Sequence, residues 1–210
     1  MYAVRTEVMV GAGKVRAFEA WWAQLSALAK AQRGFQEGTL LNSLSYPAKY
    51  VILIRWESRE ARQVWAKGEA FNNFVHANPP QTLVTPSRPQ EAYDVVLRVT
   101  GEGQAAYAGL VDWTLDPRPG NTASFERSRQ ELFALRKQHV PGLVLNGLGR
   151  LYGHQHRYQV VQFYSTMDAL RAASPGSPIA ELQAFGQAHP PNAYASTPIA
   201  AEVYEVVQRV

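Results

Sequence analysis

The chain writes its closing strand twice. EAYDVVLRV (91–99) and EVYEVVQRV (202–210) share six of nine residues, and Asp94 and Glu205 differ by one methylene. The offset of 111 holds upstream, where FVHANPP (74–80) lines up with FGQAHPP (185–191); Phe74/Phe185, Ala77/Ala188, Pro79/Pro190 and Pro80/Pro191 are identical. Ungapped, 71–99 against 182–210 gives ten identities in 29 positions. Further upstream the offset is 108, which pairs KYVILIRWES (49–58) with RYQVVQFYST (157–166) and Gly34-Phe35 with Gly142-Leu143. At 107, Phe18-Glu19 meets Phe125-Glu126. The matching blocks never change order, which is the mark of a tandem duplication of a unit of about a hundred residues.

One unit can be read from its periodicity. Tyr2 to Met9 alternates and predicts a strand. In KVRAFEAWWAQLSALAKAQR, Val15, Phe18, Trp22, Leu25 and Ala29 recur at steps of three and four, so the segment predicts an amphipathic helix with Gly34 as its stop. Phe35–Leu44 and Lys49–Trp56 predict two strands turned at Ser45-Tyr46-Pro47. Ser58 is an N-cap, with Glu60 in the first turn, for one second helix that runs to about His76; Pro79-Pro80 forbid its continuation. Thr166 and Asp168 repeat that start.

The fourth strand is the repeated stretch, with Tyr93, Val95, Leu97 and Val99 on one face. Its charges, Asp94 and Arg98 in one copy and Glu205 and Arg209 in the other, predict cross-strand pairing. The order β-α-β-β-α-β is ferredoxin-like. In strand 49–56 both faces are apolar, so both are expected to be buried, one under helices and the other against a second sheet. The predicted fold is α+β: two ferredoxin-like units, 1–100 and 105–210, joined near Gly101-Glu102-Gly103, their antiparallel sheets packed face to face.

Composition narrows the chemistry. There are no cysteines, which excludes disulfides, thiolate metal sites and cysteine nucleophiles. The net charge is +4 with no dense basic cluster, so no nucleic-acid footprint is expected. No apolar run reaches the length of a membrane span, and MYAVRTEVMVGAGK lacks the build of a signal peptide, so the expectation is a cytoplasmic protein with no membrane partner.

Gly34-Phe35, KYVILIRWES and EARQVWAKGEAF (60–71) resemble the antibiotic biosynthesis monooxygenase (ABM) domain of the dimeric α+β barrel superfamily. The resemblance is good over 1–99 and weaker over about 105–210. It implies a homodimer-like barrel fused into one polypeptide, an intramolecular pseudo-dimer in which the last strand of each unit bridges to the other sheet. The chain would then act as a monomer, with room for further association.

The resemblance also implies a function: cofactor-independent oxidation of a small aromatic or quinol-type substrate in an apolar pocket of the first unit. Trp22, Phe71 and Phe74 would wall the pocket, with Asn42 and Asn72 as polar substrate contacts and Trp65, His76 and Arg55 as catalytic candidates. For each aromatic taken singly, a plain core role is the better reading. The alternative is a non-catalytic, stress-related module that binds haem or an aromatic metabolite. Haem-degrading members carry an Asn on the first strand, a Trp on the second helix and a His about ten residues later. Here those positions hold Val4, Trp65 and His76, the last one step late, and no other metal ligand is expected. Some aromatic-oxidising members carry an Asn where Ala61 stands. In the second unit Ala173-Ser174 and Gln187 stand where Trp65 and His76 would be, which suggests a scaffold. His154 and His156 read as an exposed hairpin, Gly11-Ala12-Gly13-Lys14 is no phosphate loop, and Tyr194 and His189 lie near the second unit's equivalent pocket without a pattern.

Overall fold

The computed structural model describes residues 1–197 and 199–210. The elements, in chain order, are β1 (Tyr2–Val10), α1 (Val15–Lys30), β2 (Phe35–Ser43), β3 (Lys49–Trp56), α2 (Arg59–Lys67), α3 (Glu69–Ala77), β4 (Val84–Pro86), β5 (Glu91–Thr100), β6 (Tyr107–Thr114), α4 (Asn121–His139), β7 (Leu143–Leu151), β8 (Arg157–Tyr164), α5 (Met167–Ala172), α6 (Ala180–Ala188) and β9 (Ala200–Arg209). The fold is mixed α+β with antiparallel strands, and the β-α-β-β-α-β order recurs in both halves. Contacts divide the chain into two compact units: Met1–Ala92 with Glu205–Val210, and Tyr93–Tyr204.

In unit 1, β3 lies between β1 and β2, pairing Thr6 with Ile52 and Leu40 with Ile52. β4, not anticipated from sequence, adds to β1. The last residues of the chain also belong here: Gly38 N donates to Val210 O at 3.1 Å and Val210 N to Gly38 O at 2.9 Å. The helix-facing side of the sheet carries Val8, Leu40, Tyr50, Ile52 and Trp56, packed with Phe18, Trp22, Leu25 and Ala29 of α1. The opposite side carries Arg5, Glu7, Glu37, Thr39, Leu41, Val51 and Leu53, and it too is buried. Two-sided burial of β3 agrees with its unbroken apolar run.

The second helix of unit 1 is two helices. Gly68 adopts φ −69°, ψ 146° and serves as both the C-cap of α2 and the N-cap of α3. Glycine weakens a helix interior, and a Cβ at Gly68 would sit 3.1 Å from Trp65 O. Ser58 does cap α2, accepting from Ala61 N at 3.1 Å, and Thr166 caps α5 from Ala169 N at the same distance. Gly34 and Gly142 stop α1 and α4 with φ of 83° and 85°, a left-handed conformation that favours glycine.

In unit 2, β8 lies between β6 and β7, and β5 pairs with β7. A bulge between Val95 and Leu97 shifts the β5 register. Tyr93 and Val95 therefore face the side of Leu151 and Gly149, whereas Leu97 and Val99 face that of Leu148 and Asn146. The single face expected for Tyr93, Val95, Leu97 and Val99 is corrected by that extra residue, which reverses side-chain alternation. The core of this unit is built from Phe125, Leu132 and Phe133 of α4 against Trp113, Leu148, Tyr158 and Val160, with Leu170, Leu182 and Phe185 closing it.

Candidate functional site

The aromatic residues of unit 1 converge between its helices and its sheet. Trp65 on α2 is buried, with ring-centre distances of 6.2 Å to Trp56 and 5.2 Å to Phe71, the latter edge-on across the Gly68 joint. Phe35 meets Trp56 edge-on at 5.6 Å. Trp22 is wholly buried in the same cluster, and its indole Nε1 has no acceptor among the described residues. Phe74 meets Trp21 at 5.9 Å, and both pack against the same core. Of the candidate aromatics, Trp22 and Trp65 belong to one core, and Phe71 and Phe74, both half-buried, pack against it, Phe71 on Trp65 and Phe74 on Trp21.

The polar candidates are elsewhere. Asn42 donates to Pro47 O at 2.9 Å and Lys49 O at 3.2 Å, stapling the β2–β3 turn. Asn72 is exposed and donates to Gly68 O at 3.0 Å. His76 is exposed in the last turn of α3, where an imidazole suits the helix dipole. Arg55 lies on the far side of the sheet, paired with Glu37, which also receives Arg209 and Thr39 Oγ1. Among the described residues no group of three or more His, Asp or Glu side chains is placed to hold a metal ion.

The family model for antibiotic biosynthesis monooxygenase matches residues 1–77. The match makes the first unit similar to that family. No curated protein matches the sequence. Solved structures match the fold over the whole chain. A candidate monooxygenase from Fusobacterium nucleatum subsp. nucleatum is 10% identical with a TM-score of 0.79, covering 99% of this chain and 93% of its own. A second candidate monooxygenase, from Lactobacillus acidophilus, is 8% identical with a TM-score of 0.72, covering 100% and 96%. An anthrone oxidase-like protein is 15% identical with a TM-score of 0.65, covering 100% and 92%. At these identities the likeness is one of fold.

His76 is exposed, Val4 is apolar and buried, and Trp65 is packed on both sides by Trp56 and Phe71. Ala61, where some aromatic-oxidising members carry an Asn, lies against the turn after α1: a Cβ on Gly34 would lie 2.7 Å from the Ala61 Cβ.

The sequence patterns did not single out a polar pair that unit 1 shares with unit 2. Tyr50 Oη donates to Glu19 Oε1 at 3.0 Å; Tyr158 Oη donates to Glu126 Oε1 at 2.6 Å, and Arg150 joins it. Burial, reinforced by Glu19, pushes the Tyr50 phenol up to about 12, and the same causes raise Tyr158. The signal was present, since Glu19/Glu126 and Tyr50/Tyr158 occupy matching places in the repeat. Because both units keep the pair, it belongs to the repeat's construction. In unit 2 a small cavity of about 120 Å³ is lined by Tyr93, Asp112, Trp113, Arg157 and Tyr158 among others.

Proposed function

We propose that unit 1 binds a small aromatic or quinol-type molecule within the Trp22–Trp56–Trp65–Phe71 cluster and supports its oxidation by oxygen without a bound cofactor. The observation that carries the reading is the Trp22 indole N–H, buried among aromatic rings with no acceptor. A buried donor left unpaired costs about 1–3 kcal/mol, and a phenolic or quinone oxygen would satisfy it. In such chemistry the substrate anion is itself the reductant for oxygen. The protein's part is to exclude water and hold the anion's oxygen with a preorganised donor.

Access needs movement, and α3 is the element least held: none of its side chains is fully buried, and it joins α2 through Gly68. The absence of an acid or base within the cluster favours, as second reading, a module that binds such a molecule without turning it over.

One experiment separates the two. Purified protein is mixed with a panel of quinols while oxygen uptake and tryptophan fluorescence are followed, for the wild type, Trp22→Phe and His76→Ala. Uptake that falls at least tenfold in Trp22→Phe and is unchanged in His76→Ala supports the enzyme; saturable quenching without uptake supports the module. Neither signal with any quinol overturns both.

A further inference from the structure

Unit 2 departs from unit 1 most along the inner stripe of α4. At the offset of 107, Trp22 and Ala29 become Arg129 and Arg136. Both arginines are buried, at 6% and 7% exposure. Arg136 Nη2 donates to Ala173 O at 2.7 Å, but its Nε and Nη1 have no acceptor among the described residues. Arg129 Nε makes a long bond of 3.4 Å to Ser128 Oγ. Its guanidinium sits 5.1 Å from the Trp113 ring centre, 5.2 Å from Phe125 and 5.6 Å from Phe185. On the sheet side beneath α4, Asn146 is wholly buried, and among the described residues neither of its amide atoms has a hydrogen-bond partner.

The nearby carboxylates are committed elsewhere. Glu126 is held by Arg150 and Tyr158, and Glu131 faces His189 Nε2 at 3.7 Å from a largely exposed position. Among the described residues neither Arg129 nor Arg136 has an ion-pair partner. Burial, with repulsion from Arg136 added, brings the Arg129 guanidinium down to about 10. The fold does not require these charges, because unit 1 closes the same stripe with Trp22 and Ala29. Buried charges are normally paired, and two buried guanidiniums on one stripe of α4 make a receptor for an anion. The walls are aromatic, and polar side chains lie beside them: the His189 ring is tilted against Phe185 at 4.5 Å, and its Nδ1 is 2.7 Å from Tyr194 Oη.

We propose that unit 2 holds a binding site for a small aromatic carboxylate, its carboxylate taken by Arg129 and Arg136 and its ring by the aromatic residues around them. The proposal stands apart from the reading of unit 1.

Isothermal titration of the full chain with benzoate, acetate and inorganic phosphate tests it. Benzoate is expected to bind saturably, with acetate and phosphate at least tenfold weaker. Arg129→Gln and Arg136→Gln should each weaken benzoate at least tenfold, and His76→Ala should leave it unchanged. If the Gln variants do not fold, Arg129→Lys keeps the charge and loses the planar fork, and is expected to weaken benzoate as well. No saturable benzoate binding by the wild type, phosphate binding as tight as benzoate, or affinity unchanged in the arginine variants overturns the site.

Discussion

Arg209 grips Glu37 with both ends of its guanidinium, Nε to Oε1 at 2.9 Å and Nη2 to Oε2 at 3.0 Å. The pair joins residues 172 apart in sequence, and it ties the end of the chain to β2 of the first unit. It realises the charge pairing expected of the repeated strand, with a partner that the repeat alone did not name.

Glu37 neutralises two cations, since Arg55 reaches it as well. Glu37→Ala would leave both guanidiniums in a largely buried setting, and should lower stability by about 2–4 kcal/mol. Urea unfolding measures this. Arg209→Ala should cost less, because Arg55 keeps the carboxylate paired; a double-mutant cycle should give a coupling well above zero.

The turns after α1 and α4 make a second prediction. Gly34→Ala and Gly142→Ala meet both an unfavourable positive φ and a close neighbour, Ala61 Cβ at 2.7 Å and Ser165 Oγ at 2.5 Å. Each should destabilise by about 2–3 kcal/mol. Gly13 has φ 71° and nothing within 4 Å of a Cβ, so Gly13→Ala should cost only the backbone term, about 1 kcal/mol. Thermal unfolding of the three variants separates strain from clash.

Trp65 and His76 should behave oppositely. Trp65 is enclosed by Trp56 and Phe71, so Trp65→Ala should lose about 3–5 kcal/mol through the cavity it leaves. His76 is exposed at a helix end, and His76→Ala should stay within about 0.5 kcal/mol of the wild type.

Alkaline stability follows from Tyr50. Its folded pKa of about 12 lies above the ordinary phenol value near 10. Below pH 10 the phenol is protonated in both states and its contribution is fully present. As pH rises from 10 through 12 the unfolded chain releases the proton first, so stability is lost across that window. Melting temperature against pH should fall there in the wild type and fall less steeply in Tyr50→Phe.

The candidate site was legible only in part. Trp22, Trp65 and Phe71 could be grouped because helical spacing and the ABM resemblance both point inward. Asn42, Asn72 and Arg55 could not be placed, because a polar residue's partner depends on neighbours distant in sequence: a turn carbonyl, the preceding helical turn, a carboxylate across the sheet. The α2–α3 break escaped notice because a single glycine within a helical pattern is usually tolerated. Arg129 and Arg136 escaped it because an arginine on a helix is ordinarily exposed, and only the packing of α4 shows that these two point inward.

By itself the sequence determined the repeat, the order of elements, the caps at Ser58 and Thr166, the stops at Gly34 and Gly142, and the two-sided burial of β3. All of these are local: a period, a cap and a left-handed turn are written within a few residues. The tertiary structure alone decided the bulge at Val96 and the assignment of the two closing strands. Residues 93–100 pair in the second unit's sheet and 205–210 in the first's. Strand pairing runs through backbone groups that every residue carries, so two nearly identical strands look alike to either sheet edge. The contacts each strand finds are distant in sequence: Arg209 meets Glu37, and Tyr93 meets Gly149, where a Cβ would lie 2.9 Å from that of Tyr93.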